Sequence, residues 1–373
     1  MDASHSDIKS RTDERLLSLD ALRGFDMFWI IGGEGIAIAA AKLTGWASLV
    51  WFAGQLEHPE WHGFALYDLI FPLFLFIAGV AMPFSFDKRL ERGDTKGQLA
   101  RHAIVRGLVL VLLGMIYNGL LEFDWANMRY PSVLGRIGLA YLFAALIVLN
   151  TRTRGQLVWI AGLLVGYWAL LKFVPVPGFG AGDLRPGHTL TDFIDRSLIP
   201  GKLYRGDRDP EGLLGVVPAV GTALAGAVTG RLLKSEQFSG YAKTGIMVVA
   251  GLVCLGLAQL WNLNFPINKN LWTSSFVLHC AGLSLLLLAL FYLVIDVWRL
   301  RGWTLFFVVI GSNSIFIYLA ERFIDFEYTT RFFFGGALRN TGDYQPLLWA
   351  TAIVLVKWLL LYLLYRKRIF LRV

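Results

Sequence analysis

Apolar runs recur along this chain at a length set by lipid. Stretches near the roughly 20 residues that a helix needs to cross a bilayer fall at about 24–42, 66–86, 102–121, 132–149, 156–173, 213–233, 244–261, 272–295, 303–323 and 346–365. The pattern predicts an all-α polytopic membrane protein with about ten transmembrane helices, a single membrane domain over 1–373 whose residues 1–18 form a polar cytoplasmic segment. Ten spans put both termini on one side. The connections expected on the other side are 43–65, 122–131, 174–212, 262–271 and 324–345. The long one, 174–212 between spans five and six, mixes Gly and Pro turns with apolar anchors at Phe193, Ile194, Leu198, Leu203 and Tyr204, so it reads as an ordered extracytoplasmic loop docked on the bundle.

Composition agrees with the pattern, since 373 residues that are 56% hydrophobic and 17% charged exceed the apolar content of a soluble domain. The net charge of +8 does not point to nucleic acid, because the basic residues are spread over topological positions. Lys9, Arg11, Arg15 and Arg23 lead the chain, Lys88 to Arg106 follow the second span, and Arg152, Arg154, Arg231, Lys234, Lys243, Arg299, Arg301, Arg366, Lys367, Arg368 and Arg372 mark the same side. Short cytoplasmic loops carry such an excess, so both termini are expected in the cytoplasm. The N-terminus has no cleavage site after an apolar core and is not expected to be a cleaved signal peptide. Cys254 and Cys280 lie inside apolar runs without metal-ligand spacing and read as packing residues.

The candidate chemistry begins in EHPEWHGFALYDLIFPLFLFIAG, where His58 stands just before an apolar helix that starts beside Asp68. An imidazole exchanges protons near neutral pH, and ionisable groups at membrane depth are functional candidates by default. Glu34, flanked by Gly32, Gly33 and Gly35, and Asp26 lie in the first span, with Asp20 and Arg23 at its cytoplasmic end. Arg136 enters the fourth span by about one turn and reads either as an interfacial anchor or as a partner for Asp68. His62 is four residues after His58, but Pro59 opposes a continuous helix and no third ligand follows, so no metal is expected. In NFPINKNLWTSSFVLHC, Asn268, Lys269, Asn270 and Trp272 combine amides, an amine and an indole able to bind a sugar; a capped helix start with a belt tryptophan is the alternative. These residues alone leave an enzyme and a proton-coupled transporter or flippase of a sugar-containing solute both open.

The strings RLLSLDALRG, EHPEWHGFALYDLIFPLFLFIAG, FIDR, LY, DPEG and FPINKNLWTSSFVL, in that order, resemble the heparan-α-glucosaminide N-acetyltransferase family in its bacterial form, from about Arg15 onward. The resemblance implies acetyl transfer from cytosolic acetyl-CoA to a sugar acceptor, an amino sugar first, across the membrane, with the family's active-site histidine at His58. It also implies a homodimer and, with the charge pattern, a bacterial inner membrane with the histidine toward the periplasm. Glu34 and His62 stand where the lysosomal members resemble asparagine, which bears on acceptor identity. Such chemistry needs a base or an acetyl-carrying nucleophile, a role for His58, with Glu34 or Asp68 to orient it and Asn268 or Lys269 to stabilise an oxyanion. Cofactor phosphates need cations, and Arg23, Arg106, Arg136 and Arg231 are the candidates.

Overall fold

The computed structural model describes residues 16–371. Lys9, Arg11, Arg15 and Arg372, used above for orientation, lie outside the described residues, as does most of the 1–18 segment. The first span is α1 (Leu17–Phe28), a widened turn over Trp29–Gly33 and α2 (Glu34–Thr44), after which comes the short α3 (Ala47–Gly54). A tight turn at Leu66–Leu69 leads into α4 (Ile70–Glu91), then α5 (Lys96–Tyr117), α6 (Val133–Asn150) and α7 (Thr153–Phe173). The long loop holds a two-residue hairpin, β1 (Pro175–Val176) with antiparallel β2 (Gly180–Ala181), and α8 (Leu190–Leu198). Then follow α9 (Val216–Lys234), α10 (Gly240–Asn262), α11 (Ser274–Tyr292), α12 (Thr304–Ser312), α13 (Ser314–Phe323), α14 (Phe326–Leu338) and α15 (Gln345–Arg366).

Among the described residues nine helices are long and apolar enough to cross a membrane, and ten if the bent pair α12 and α13 counts as one. This is an all-α polytopic membrane protein. The predicted ninth span, 303–323, is not one straight helix: it breaks at Asn313 with a 67° bend. A Cβ on Gly24 would strike the Phe307 carbonyl and one on Gly311 would strike that of Asp20, so α12 runs antiparallel against α1 before α13 resumes the crossing. Small residues let the two backbones meet closely, the packing that membrane helices favour where no hydrophobic effect drives them together. Asn313 bridges the break by donating to the Ile369 carbonyl at 3.0 Å and accepting from the Leu371 N–H at 3.0 Å.

The first span is broken for a different reason. Gly32 adopts φ 130°, ψ 4°, a conformation that β-carbon residues avoid. Lys357, in the middle of α15, donates to the Ile31 carbonyl at 2.8 Å and to Glu321 of α13 at 2.7 Å. Wide turns of this kind re-aim the residues that follow. Here the next residue is Glu34.

Four of the five connections predicted to share one face do meet at one end of the bundle. Gly63 donates to Ile267 at 2.9 Å, the Trp61 indole to Leu184 at 2.8 Å, and Lys202 to Met128 at 2.9 Å. Arg129 forks onto Asp209 at 2.8 and 2.7 Å and also holds Glu211. The 174–212 loop is therefore pinned by charge-assisted bonds that a mobile linker would lack.

Candidate active site

Asp68 is fixed first. It is the third residue of the turn before α4, and its Oδ2 accepts the Ala65 N–H at 3.0 Å, closing that turn as an N-cap carboxylate does. Its other oxygen, Oδ1, lies 2.6 Å from His58 Nδ1. A carboxylate only accepts, so Nδ1 carries a proton, and in the neutral imidazole it is then Nε2 that keeps the lone pair. The Asp68 side chain is 1% exposed and that of His58 is 47% exposed. A buried anion thus orients an imidazole whose free nitrogen is open to a reactant.

Lys269 completes the group. Its Nζ lies 3.3 Å from Asp68 Oδ1, 3.2 Å from His58 Nε2 and 3.4 Å from Nδ1. The turn that carries it is rigid. Asn268 is fully buried, accepts from the Leu271 N–H at 2.9 Å, donates from its own N–H to Thr273 at 3.0 Å and reaches His62 Nδ1 at 3.2 Å. Burial holds His62 below the ordinary imidazole range, which keeps it a neutral partner for that amide. The Tyr167 hydroxyl donates to the Leu271 carbonyl at 2.5 Å, and Asn270 lies in the same turn.

Two sequence candidates have other work. Trp272 is 1% exposed, with φ 53°, and packs on Phe71 at 4.7 Å, so no face is left for a sugar. Arg136 is not paired with Asp68; its guanidinium is buried, lies 5.1 Å from the Trp272 ring centroid and donates to the Gly212 carbonyl at 3.1 Å. Together they clamp the DPEG turn onto the Lys269 turn. The other basic candidates sit on separate helices: Arg23 pairs with Asp20 at 3.4 Å, Arg106 lies over the Tyr141 ring at 4.5 Å, and Arg231 is near the end of α9.

Glu34 reaches the site indirectly. Its carboxyl interacts with the Tyr67 hydroxyl, and the Tyr67 ring lies 5.2 Å from that of His58. A cavity of about 210 Å³, reached from the pair through Tyr67 and Lys269, is lined by Met27, Ile30, Phe71, Phe74 and Ile137, with Tyr67, Glu211, Lys269 and Ser314 among its polar members. Tyr67, Glu211, Glu321 and Lys357 were not singled out from sequence. The signal for Lys357 was present, since a lysine inside the apolar run LLWATAIVLVKWLLLYLL needs an internal partner. Among the described residues no group of three ligating side chains that could hold a metal ion is found.

Residues 15–119 match a family model described as a domain of unknown function, DUF5009. Heparan-alpha-glucosaminide N-acetyltransferase of Homo sapiens is 28% identical over 94% of the chain, and that of Mus musculus is 28% identical over 96%. The chain is related to these enzymes. It spans about three-fifths of the length of these curated relatives, 59% and 61%. The aligned region contains the His58, Asp68 and Lys269 group, because nearly the whole chain is covered.

Proposed function

We propose that this chain is a transmembrane acetyltransferase that moves an acetyl group from acetyl-CoA, supplied at the cytoplasmic face, to a sugar acceptor at the opposite face. The observation that carries the reading is the 2.6 Å contact between exposed His58 and buried Asp68 beside an apolar cavity. In the transfer, Nε2 of His58 either takes the proton of the attacking acceptor or attacks the thioester carbonyl itself and carries the acetyl group. Asp68 holds the tautomer that makes Nε2 available and stabilises the imidazolium that forms. Lys269 is the cation nearest to the oxyanion that develops on the thioester carbonyl. An amino sugar is the acceptor class we favour, in keeping with the name of the relatives. We place both termini in the cytoplasm of a bacterial cell, the dyad toward the periplasm, and the chain in a homodimer.

The test is acetyl transfer by purified protein in nanodiscs, with labelled acetyl-CoA and a panel of amino and neutral sugars. Mass spectrometry identifies the product. Acceptor-dependent product that vanishes in His58→Ala while CoA still binds supports the proposal, and folded protein that neither binds CoA nor forms product defeats it.

A further inference from the structure

The atom that would carry or receive the acetyl group already has an amine beside it. Lys269 Nζ lies 3.2 Å from His58 Nε2, so a carbonyl carbon bonded to Nε2 would stand within reach of the amine. It also lines the cavity reached from the pair, so an acetyl group on Nε2, or a thioester poised against it, would meet this amine at high effective concentration. The Asn268 to Trp272 turn is too well held to carry it away. What restrains the nitrogen is its ion pair with Asp68, since a protonated amine has no lone pair to attack with.

We infer that Lys269 is a self-acetylation site, used when acetyl-CoA is present and the acceptor is absent; the inference rests on the acetyl-transfer reading above. The balance is complete. Nε2 of His58 bonds to the carbonyl carbon, the carbon–sulfur bond breaks, and the thiolate leaves to become CoA thiol by taking one proton. Lys269 loses one proton through Asp68 Oδ1, 3.3 Å away, and its amine attacks the same carbon. The bond to Nε2 then breaks, the imidazole returns to its starting form, and a second amine proton leaves. Overall, one thioester and one ammonium give one thiol, one amide and one released proton. The amide carries no charge, so the modified site loses its cation beside Asp68 and with it the enzyme's activity toward acceptor.

The experiment incubates the full chain in nanodiscs with labelled acetyl-CoA alone, then maps label by peptide mass spectrometry and measures remaining transfer to glucosamine. The expected result is label on Lys269 at about tenfold or more over other lysines, with activity lost as label accumulates. Glucosamine present from the start protects, and both His58→Ala and Lys269→Arg remove the label. Turnover of glucosamine without label on Lys269 overturns the inference and leaves the transferase reading standing. Label spread evenly over lysines and unchanged in His58→Ala overturns it as well. Neither turnover nor label, in folded protein, overturns both.

Discussion

Two buried ion pairs in this bundle use the same kinds of side chain to opposite ends. In the middle of the membrane domain, Lys357 is joined to Glu321 at 2.7 Å and to the Ile31 carbonyl at 2.8 Å, which leaves no lone pair for chemistry. At the loop end the buried member is instead the carboxylate, Asp68, 1% exposed against 25% for Glu321, while its cationic partner Lys269 and the imidazole of His58 are partly open. A membrane interior penalises both arrangements, so each must return something. The first gives a fixed break in a helix; the second gives an oriented, accessible nitrogen. Burial of one member of an ion pair is therefore no mark of a reactive site. Exposure of the group it orients is.

The comparison breaks most sharply at the dyad. His58→Ala is expected to lower acetyl transfer by about a thousandfold, and Asp68→Asn by about a hundredfold or more, with little change in CoA binding. Single-turnover assays on both variants check this, and a modest effect at Asp68 would show that the histidine is oriented by something else. At the other pair the loss should appear in stability. Lys357→Met is expected to destabilise by about 3–5 kcal/mol because it strands Glu321, whereas Lys357→Met with Glu321→Leu recovers most of that loss. Thermal unfolding in detergent distinguishes the two outcomes, and a catalytic defect in the double variant greater than its stability defect would merge the two regions into one functional unit.

A third test uses pH in the loop that covers the site. Asp195 of α8 accepts the Leu213 N–H at 2.9 Å, and burial pushes its carboxyl up to about 7. The unfolded chain ionises at the ordinary value of 3.8, so the stability this group contributes is present in acid and is lost as pH rises toward and through about 7. Asp195→Asn fixes the neutral form. It is expected to raise Tm by a few degrees at pH 8, with the gap closing as pH falls toward 4; equal Tm values at pH 8 would refute the assignment. The smallest effect is expected at Trp272→Phe, which keeps the contact with Phe71 and loses the long indole bond to Thr222, 3.5 Å, for under about 1 kcal/mol. Acceptor KM should not move, because the ring is buried against Phe71.

Hydrophobic runs made the ten-segment architecture legible, since span length is a bilayer property that every segment must obey independently. The break at Asn313 left only a local trace, the GSNS string at 311–314 inside an otherwise apolar stretch, and the 67° bend there is visible only in the fold. His58 and Asp68 were legible as candidates from their setting, ten residues apart at the start of a helix. Their contact was not, nor was the 211-residue separation between His58 and Lys269, which only tertiary packing closes. The surroundings of Trp272 were not legible either, since a tryptophan near a helix start looks alike whether its ring faces water or Phe71.

Asn313 turns the end of the described chain into a splint. Both sides of its amide are held by backbone groups of Ile369 and Leu371, beyond the last membrane helix. Whoever shortens the protein after Arg366, or crowds that segment with a fused tag, removes the brace from a broken helix whose second half, α13, carries Ser314, Ile315 and Tyr318 into the cavity wall. The segment after the last membrane helix is in this sense a remote support of the cavity, and its handling at the bench is a choice about the cavity's shape.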